Sequence, residues 1–247
     1  MFKAVLSDAN LLRNSIPIIA EIIDEGIFTV DQNGVSLLSP DRTMVSVVDF
    51  RILSSAFEEF KVEGKESLGL NLANLSSVLK RAGSGRLSLE STKSKLLVKI
   101  TGNGTRIFEL PLIDVKVEKP PIEQLKFQAS VELNSNVIEE GVSDAELIGD
   151  AIVLEADEGL FKMAAKGDTS STELQIKSGE GGLLNMRVQE RVKAQYPLDY
   201  LKKMIKAAKL SPQILLEFGK DYPMRITFKA IDKIQLGFIL APRVSED

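Results

Sequence analysis

FKAVLSDANLLRNSIPIIAEIIDEGIFTVDQNG (residues 2–34) and FQASVELNSNVIEEGVSDAELIGDAIVLEADEG (residues 127–159) lie 125 positions apart and follow one pattern. Phe2 falls on Phe127, Ala4 on Ala129, Ala20 on Ala145, Ile23 on Ile148, Ile27 on Ile152 and Gly34 on Gly159. Each copy opens on alternation, enters a segment of helical period, then a strand, a tight turn and a second strand. The turns, DQNG at 31–34 and DEG at 157–159, have the Asp, Asn and Gly of hairpin chemistry. Self-similarity at a fixed offset is the signature of a duplicated architecture, and the rest of the chain is read against it.

Farther along, Leu72, Leu75, Val78 and Leu79 have the spacing of one helix face, and Leu198, Leu201, Met204 and Ile205 answer them at an offset of 126. Alternating strands follow in both copies, at 87–89, 96–100 and 107–112, and at 214–218, 224–228 and 234–240. Between the copies lies VKVEKPPIEQLK (115–126), whose Pro120-Pro121 pair and charges suit an extended connector and not a central strand. The predicted organisation is an N-terminal domain 1–114, a connector 115–126 and a C-terminal domain 127–247. The predicted class is α+β, with two helices packed on β-sheets in each domain.

The helical segments differ in charge. In the first, Leu11, Leu12, Ile16, Ile18, Ile19, Ile22 and Ile23 share an arc, Asn10 is placed to cap it, and Pro17 is expected to kink it. The second, 72–82, carries Lys80 and Arg81 near its C-terminus. The third, 137–149, is acidic through Glu139, Glu140, Asp144 and Glu146, opposite Val137, Ile138, Val142, Ala145 and Ile148. In the fourth, 198–209, Lys202, Lys203, Lys206 and Lys209 fall within an arc of about 120° with no acid among them. By itself such an arc reads as a solvated face whose lysines suit a helix C-terminus.

Composition narrows the chemistry. The chain of 247 residues is 44% hydrophobic, which excludes wholesale disorder. It has no Cys, His or Trp, which removes disulfides, thiol nucleophiles, zinc–thiolate sites, imidazole bases and haem ligands. Thirty-one basic against 35 acidic side chains give a net charge of −4, which argues against a general nucleic-acid coat protein. The N-terminal apolar run is too short for a signal peptide, and Pro17 and Glu21 break the longest apolar stretch, so no membrane association is expected. The glycine-rich pieces GSG (83–85), GNG (102–104) and GEGG (179–182) read as turns, and the spacing of Asp144 and Asp150 alone makes neither a metal site nor an acid–base pair. No catalytic constellation, metal site or cofactor motif is present in the sequence, and no enzymatic activity is expected.

FILAPRVSED (238–247), NGVSLLSPDRTMVSVVDF (33–50) and FELPLIDVKVE (108–118) complete the picture. With LAPR near the C-terminus, LID before the connector and Asp41 after the first hairpin in this order, the duplicated chain resembles the DNA sliding clamps of archaea and eukaryotes, the proliferating cell nuclear antigen family. The resemblance covers essentially the whole sequence. It implies a trimeric ring, homotrimeric or heterotrimeric, with helices lining the hole and sheets outside, which encircles duplex DNA without reading its sequence. It further implies a non-enzymatic processivity factor of replication and repair that tethers DNA polymerase, the clamp loader, flap endonuclease and DNA ligase through interacting peptides. The implied location is the archaeal cytoplasm, at the nucleoid, or the eukaryotic nucleus.

Residue by residue, the resemblance assigns Arg13, Lys80, Arg81, Lys202, Lys203, Lys206 and Lys209 to the DNA-facing surface. It assigns Pro40, Met44, Val45, Val47, Pro120, Ile122, Pro223, Ile239, Leu240, Ala241 and Pro242 to the partner-peptide pocket. The subunit interface falls on two edge strands, Thr105, Arg106, Ile107, Phe108, Glu109 and Leu110, and Ser171, Thr172, Glu173, Leu174, Gln175, Ile176 and Lys177. Three features depart from the family pattern: the acidic third helix, Pro40 in place of a flexible Met, and Pro120 in place of an aliphatic residue. The acidic helix leaves open a subunit of a heterotrimeric clamp, and a checkpoint-type damage clamp is a second alternative. Compact length and LAPR favour the replication clamp over the checkpoint type, and the lack of His and Cys disfavours an enzyme built on a duplicated β-rich fold.

Overall fold

The computed structural model describes residues 1–83, 85–118 and 120–244. The middle of the GSG turn (Ser84), one connector residue (Lys119) and the last three residues of FILAPRVSED lie outside the described residues. The chain divides into two compact units, one of Met1–Pro120 with Lys229–Leu236, the other of Pro121–Phe228 with Gly237 onward.

The first unit contains β1 (Phe2–Leu6), α1 (Asn10–Ile19), β2 (Glu25–Asp31), β3 (Gly34–Pro40), β4 (Ser46–Leu53), β5 (Glu59–Val62), β6 (Glu66–Asn71), α2 (Leu72–Lys80), β7 (Arg86–Ser91), β8 (Lys95–Thr101) and β9 (Thr105–Pro111). The second contains β10 (Ala129–Asn134), α3 (Ser135–Glu146), β11 (Ala151–Asp157), β12 (Leu160–Lys166), β13 (Ser171–Lys177), β14 (Leu183–Val188), β15 (Val192–Pro197), α4 (Leu198–Met204) and β16 (Gln213–Phe218). The last strands, β17 (Met224–Ala230) and β18 (Ile234–Leu240), contribute residues to both units. Strand orders repeat: β5-β1-β7-β8-β9 is matched by β14-β10-β16-β17-β18, and β4-β3-β2-β6 by β13-β12-β11-β15. The duplication seen at offset 125 is thus a duplication of topology, strand for strand, in the predicted α+β class.

Local chemistry accounts for these elements. In the β2–β3 hairpin Asp31 Oδ1 accepts from Asn33 N (2.8 Å), and Gly34 sits at φ +139, where a Cβ would lie 2.1 Å from the Ile52 carbonyl oxygen. α2 is capped by Asn71, whose side chain accepts from Asn74 N (2.9 Å). The strands bury alternate residues, and each unit closes its own core. Phe28 meets Phe50 edge-on at 6.4 Å in the first, and Phe161 meets Phe218 at 6.4 Å in the second.

Three helix expectations need correction. Asn10 is not the cap of α1: Ala9 precedes the helix, Asn10 is its first residue, and Asp8 accepts from both Asn10 N (2.9 Å) and Asn10 Nδ2 (2.8 Å). α1 continues through Pro17, ends at Ile19 and does not run on to Ile23; the chain leaves through tighter bonds such as Glu21 N to the Ile18 carbonyl (3.1 Å). The fourth helix is α-helical only to Met204, and Ile205–Leu210 winds as a 3₁₀-helix.

Candidate functional site

In the first unit Arg13 is half-buried on α1, and Lys80 and Arg81 are exposed at the end of α2. The Arg81 carbonyl accepts from Arg106 Nη2 (2.8 Å), which ties the end of α2 to β9. In the second unit the lysines do meet an acid, supplied by another helix: Lys202 pairs with Glu146 of α3. Lys203 Nζ stands 5.5 Å from the centre of the Tyr200 ring. Because the 3₁₀-helix turns by three residues, Lys206 and Lys209 eclipse one another and form a ridge. Exposed pairs of this kind contribute about 0–1 kcal/mol, so these lysines are not what holds the unit together.

β9 and β13 are end strands of their sheets. On β9, Phe108 and Leu110 stand opposite Val98 and Leu96 on the core side, with Arg106 at the end of that row. Thr105, Ile107 and Glu109 point outward; Ile107 is 63% exposed and Glu109 pairs with Lys95. On β13, Thr172, Leu174 and Ile176 stand opposite Ala165, Met163 and Phe161 on the core side, while Ser171, Glu173, Gln175 and Lys177 are exposed. Phe108 and Leu174 remain only half-buried, because each lies at an open sheet edge.

A groove of about 350 Å³ in the first unit includes Ile23, Asp24, Pro40, Arg42, Met44, Val115 and Val117 in its lining. Its shape is set by the loop between β3 and β4. Asp41, 6% exposed, accepts from Ser46 N through Oδ1 (2.7 Å) and from Thr43 N through Oδ2 (3.3 Å). That loop holds Met44 at φ +59, with the residue 63% exposed. The second wall is the start of the connector, placed by Ile113 N donating to the Gly69 carbonyl on β6 (3.0 Å). Pro40 and Met44 thus line this groove, Val45 is half-buried just before β4 and Val47 half-buried on it, and Pro120 is half-buried.

The remaining pocket residues belong to the second unit. Ile122, Ile239 and Leu240 are buried, and Pro223, Ala241 and Pro242 are half-buried. Ile122 is anchored through its carbonyl, which accepts from Arg225 Nη2 (2.9 Å), and the same guanidinium lies 5.0 Å from the Phe127 ring centre. Sequence reasoning missed Ile23, Asp24, Arg42, Val115 and Val117. The Asp-x-Thr turn at 41–43 was a usable signal for the loop, but no local signal brings 23–25 beside 115–118. Among the described residues no group of three or more acidic side chains is arranged to hold a metal ion. Asp150 is occupied by Arg243 (2.6 Å), whose hydrogen bond holds its carboxyl below the usual range. No helix among the described residues is long and apolar enough to cross a membrane.

Comparison with known proteins adds the following. Residues 1–116 match the family model described as the proliferating cell nuclear antigen N-terminal domain, and residues 121–243 match that of the C-terminal domain. Similar relatives include the DNA polymerase sliding clamp of Pyrococcus abyssi, 34% identical over 99% of both chains, and DNA polymerase sliding clamp 1 of Thermococcus kodakarensis, 33% identical over 99% of both. Similar solved structures include the proliferating cell nuclear antigen of Thermococcus kodakaraensis (TM-score 0.92, 25% identity, 98% of this chain and 100% of that one). The corresponding structure from Entamoeba histolytica has TM-score 0.89 and 26% identity, over 98% of this chain and 99% of that one.

Proposed function

The chain belongs to the proliferating cell nuclear antigen family and functions as a DNA polymerase sliding clamp, and from that premise we propose that three copies close head to tail around duplex DNA. The observation that carries this reading is the equivalence of edges. β9 occupies in its copy the place of β18, and β13 the place of β4. Within the first unit the residue before β18, Lys233, accepts through its carbonyl from Leu53 N at the end of β4 (2.8 Å). A junction of β9 on one chain with β13 on the next repeats that neighbourhood between molecules, is heterologous, and removes two open edges at once. The mass of the protein in solution tests it: about 81 kDa, three times the 27.1 kDa chain, is expected, and a stable monomer would overturn homotrimeric closure in favour of assembly with different subunits.

In this reading Arg13, Lys80, Arg81, Lys202, Lys203, Lys206 and Lys209 face DNA and attract phosphate without touching bases, which suits a protein that slides. The acidic α3 takes no part, and Glu146 partly neutralises Lys202. Charge reversal of Lys202, Lys203 and Lys206 to Glu is expected to weaken DNA retention by the clamp more than tenfold. It is also expected to lower the slope of log affinity against log salt by about 3. An unchanged slope would remove this helix from the DNA-facing set.

The groove beside Met44, in the first unit, receives short peptides of partner enzymes: polymerase, clamp loader, flap endonuclease and ligase. Exposed Met44 and half-buried Pro40, Val115 and Val117 supply apolar contact in the first unit. The sliding-clamp family acts by tethering and is non-enzymatic, and this chain catalyses nothing itself. It works at the nucleoid or in the nucleus, where its DNA is.

A further inference from the structure

Inside the first unit lies a cavity of about 40 Å³, and every residue in its lining is Phe, Leu, Ile or Val. Leu12 and Ile16 come from α1, Leu75 and Leu79 from α2. The rest come from strands of both sheets and from Phe57, between β4 and β5. A buried water needs two to four polar partners; these side chains offer none, and the strand backbone is engaged in its ladders. The cavity is therefore dry. Its lining also lacks the dispersion contacts that a filling atom would supply.

The lining residues also show where the cavity meets the surface. All are buried except Val35 and Phe57, which are half-buried. Phe57 follows a 3₁₀ turn, Ser54–Ala56, whose backbone is fixed on both sides. Ser54 N donates to the Asn33 carbonyl (2.9 Å), Phe57 N to the Ser54 carbonyl (3.2 Å) and Glu58 N to the Val5 carbonyl (2.8 Å). The Phe57 ring, by contrast, is held by packing. It lies 5.1 Å from the Phe60 ring at a tilt of 44°, and Phe60 meets Phe2 edge-on at 5.7 Å. Rotation about the side-chain bonds of Phe57 therefore opens the mouth without breaking a backbone hydrogen bond.

We propose that this cavity is a binding site for one compact apolar molecule, about the size of a xenon atom, which enters past Phe57. Volume selects the guest. An apolar cavity of about 150 Å³ holds benzene, and this one is roughly a quarter of that. The bound guest touches both helices and both sheets of the unit, so it stabilises the folded unit by mass action. The site shares no residue with the DNA-facing surface, the peptide groove or the edges proposed for ring closure, and it does not depend on the number of copies in the ring.

The test uses the full chain, isotope-labelled at its Leu, Val and Ile methyl groups, with xenon as the probe. Rising xenon pressure is expected to shift the Val30 and Leu79 methyl resonances to saturation and to raise Tm, and benzene is expected to do neither. Val30→Ile, which adds a methyl group beside the cavity, is expected to abolish the shift at Leu79 and to raise Tm without xenon. Val35→Leu narrows the same space from the half-buried mouth and is expected to abolish the shift as well, so the test survives if the first variant fails to fold. Leu75→Ala is expected to admit benzene. Phe57→Ala is expected to speed xenon release about fivefold or more. Shifts that do not saturate, shifts as large at Val131 and Leu216 in the core of the second unit, or indifference to both filling variants would each overturn the site. Benzene binding to the unaltered chain would overturn its size selection, and an unchanged release rate in Phe57→Ala would overturn entry past that ring.

Discussion

A protein carrying Phe108→Asp is expected to run as a folded monomer of 27.1 kDa, as is one carrying Leu174→Asp, whereas an equimolar mixture of the two forms a dimer of about 54 kDa and nothing larger. Phe108 and Leu174 lie on the core side of two open sheet edges and are half-buried in the single chain, so a carboxylate there still reaches water. In a β9–β13 junction that access is lost. An unpaired buried charge costs several kcal/mol, enough to weaken association more than a hundredfold.

The mixture discriminates because the proposed contact is heterologous. The Phe108→Asp chain keeps an intact β13 edge and the Leu174→Asp chain an intact β9 edge. One sound junction forms between them, and the remaining edges are both damaged. Isologous pairing of β9 with β9 would instead give a Leu174→Asp protein that dimerises without a partner. Sedimentation equilibrium separates these outcomes, and a trimer persisting in either single variant would refute the edge assignment.

Gly69→Val is expected to reduce partner-peptide affinity more than tenfold while leaving the unit folded. Gly69 lies on β6 where the chain leaving β9 crosses it; a Cβ there would stand 2.1 Å from the Ile113 carbonyl oxygen and 3.3 Å from Val115 Cγ2. Backbone cannot yield as a flexible side chain can. Residues 113–118, of which Val115, Lys116, Val117 and Glu118 provide one wall of the groove beside Met44, must move outward. The stability cost is expected at about 1–3 kcal/mol, as for other overpacked sites. Hydrogen exchange supplies the direct check: the Ile113 amide, bonded to Gly69 at 3.0 Å, becomes fast in the variant. Gly181→Ala, where a Cβ meets nothing within 4 Å, serves as the control. Wild-type peptide affinity with a fast Ile113 amide would separate the connector's start from peptide binding.

Net charge was the least informative quantity in the sequence, because it averages over faces. A net −4 is compatible with DNA binding once Lys203, Lys206 and Lys209 are seen on one helix. The same averaging hid the exception: the lysine arc of the fourth helix contains no acid of its own, yet Lys202 is paired, because α3 brings Glu146 to it. Helical wheels describe one element at a time and cannot show what a neighbouring element supplies. Helix ends were misplaced for a related reason. The apolar arc continued to Ile23, whereas the backbone passes after Ile19 into three-residue bonds, Glu21 N to the Ile18 carbonyl and Ile22 N to the Ile19 carbonyl, which periodicity does not register.

What the sequence determined by itself was the duplication, the α+β class and the family, since these rest on periodicity, turn chemistry and short ordered motifs, all local along the chain. Tertiary structure alone decided which edges stay open, that Ile23 and Asp24 share a groove with Met44 and Val115, that Leu240 is a core residue, and that Leu12, Phe57 and Leu75 line one cavity. Each of these depends on segments far apart in the chain. Their meeting is set by the register of whole sheets and by close approaches such as that of Ile113 to Gly69, which leave no trace in the spacing of nearby residues.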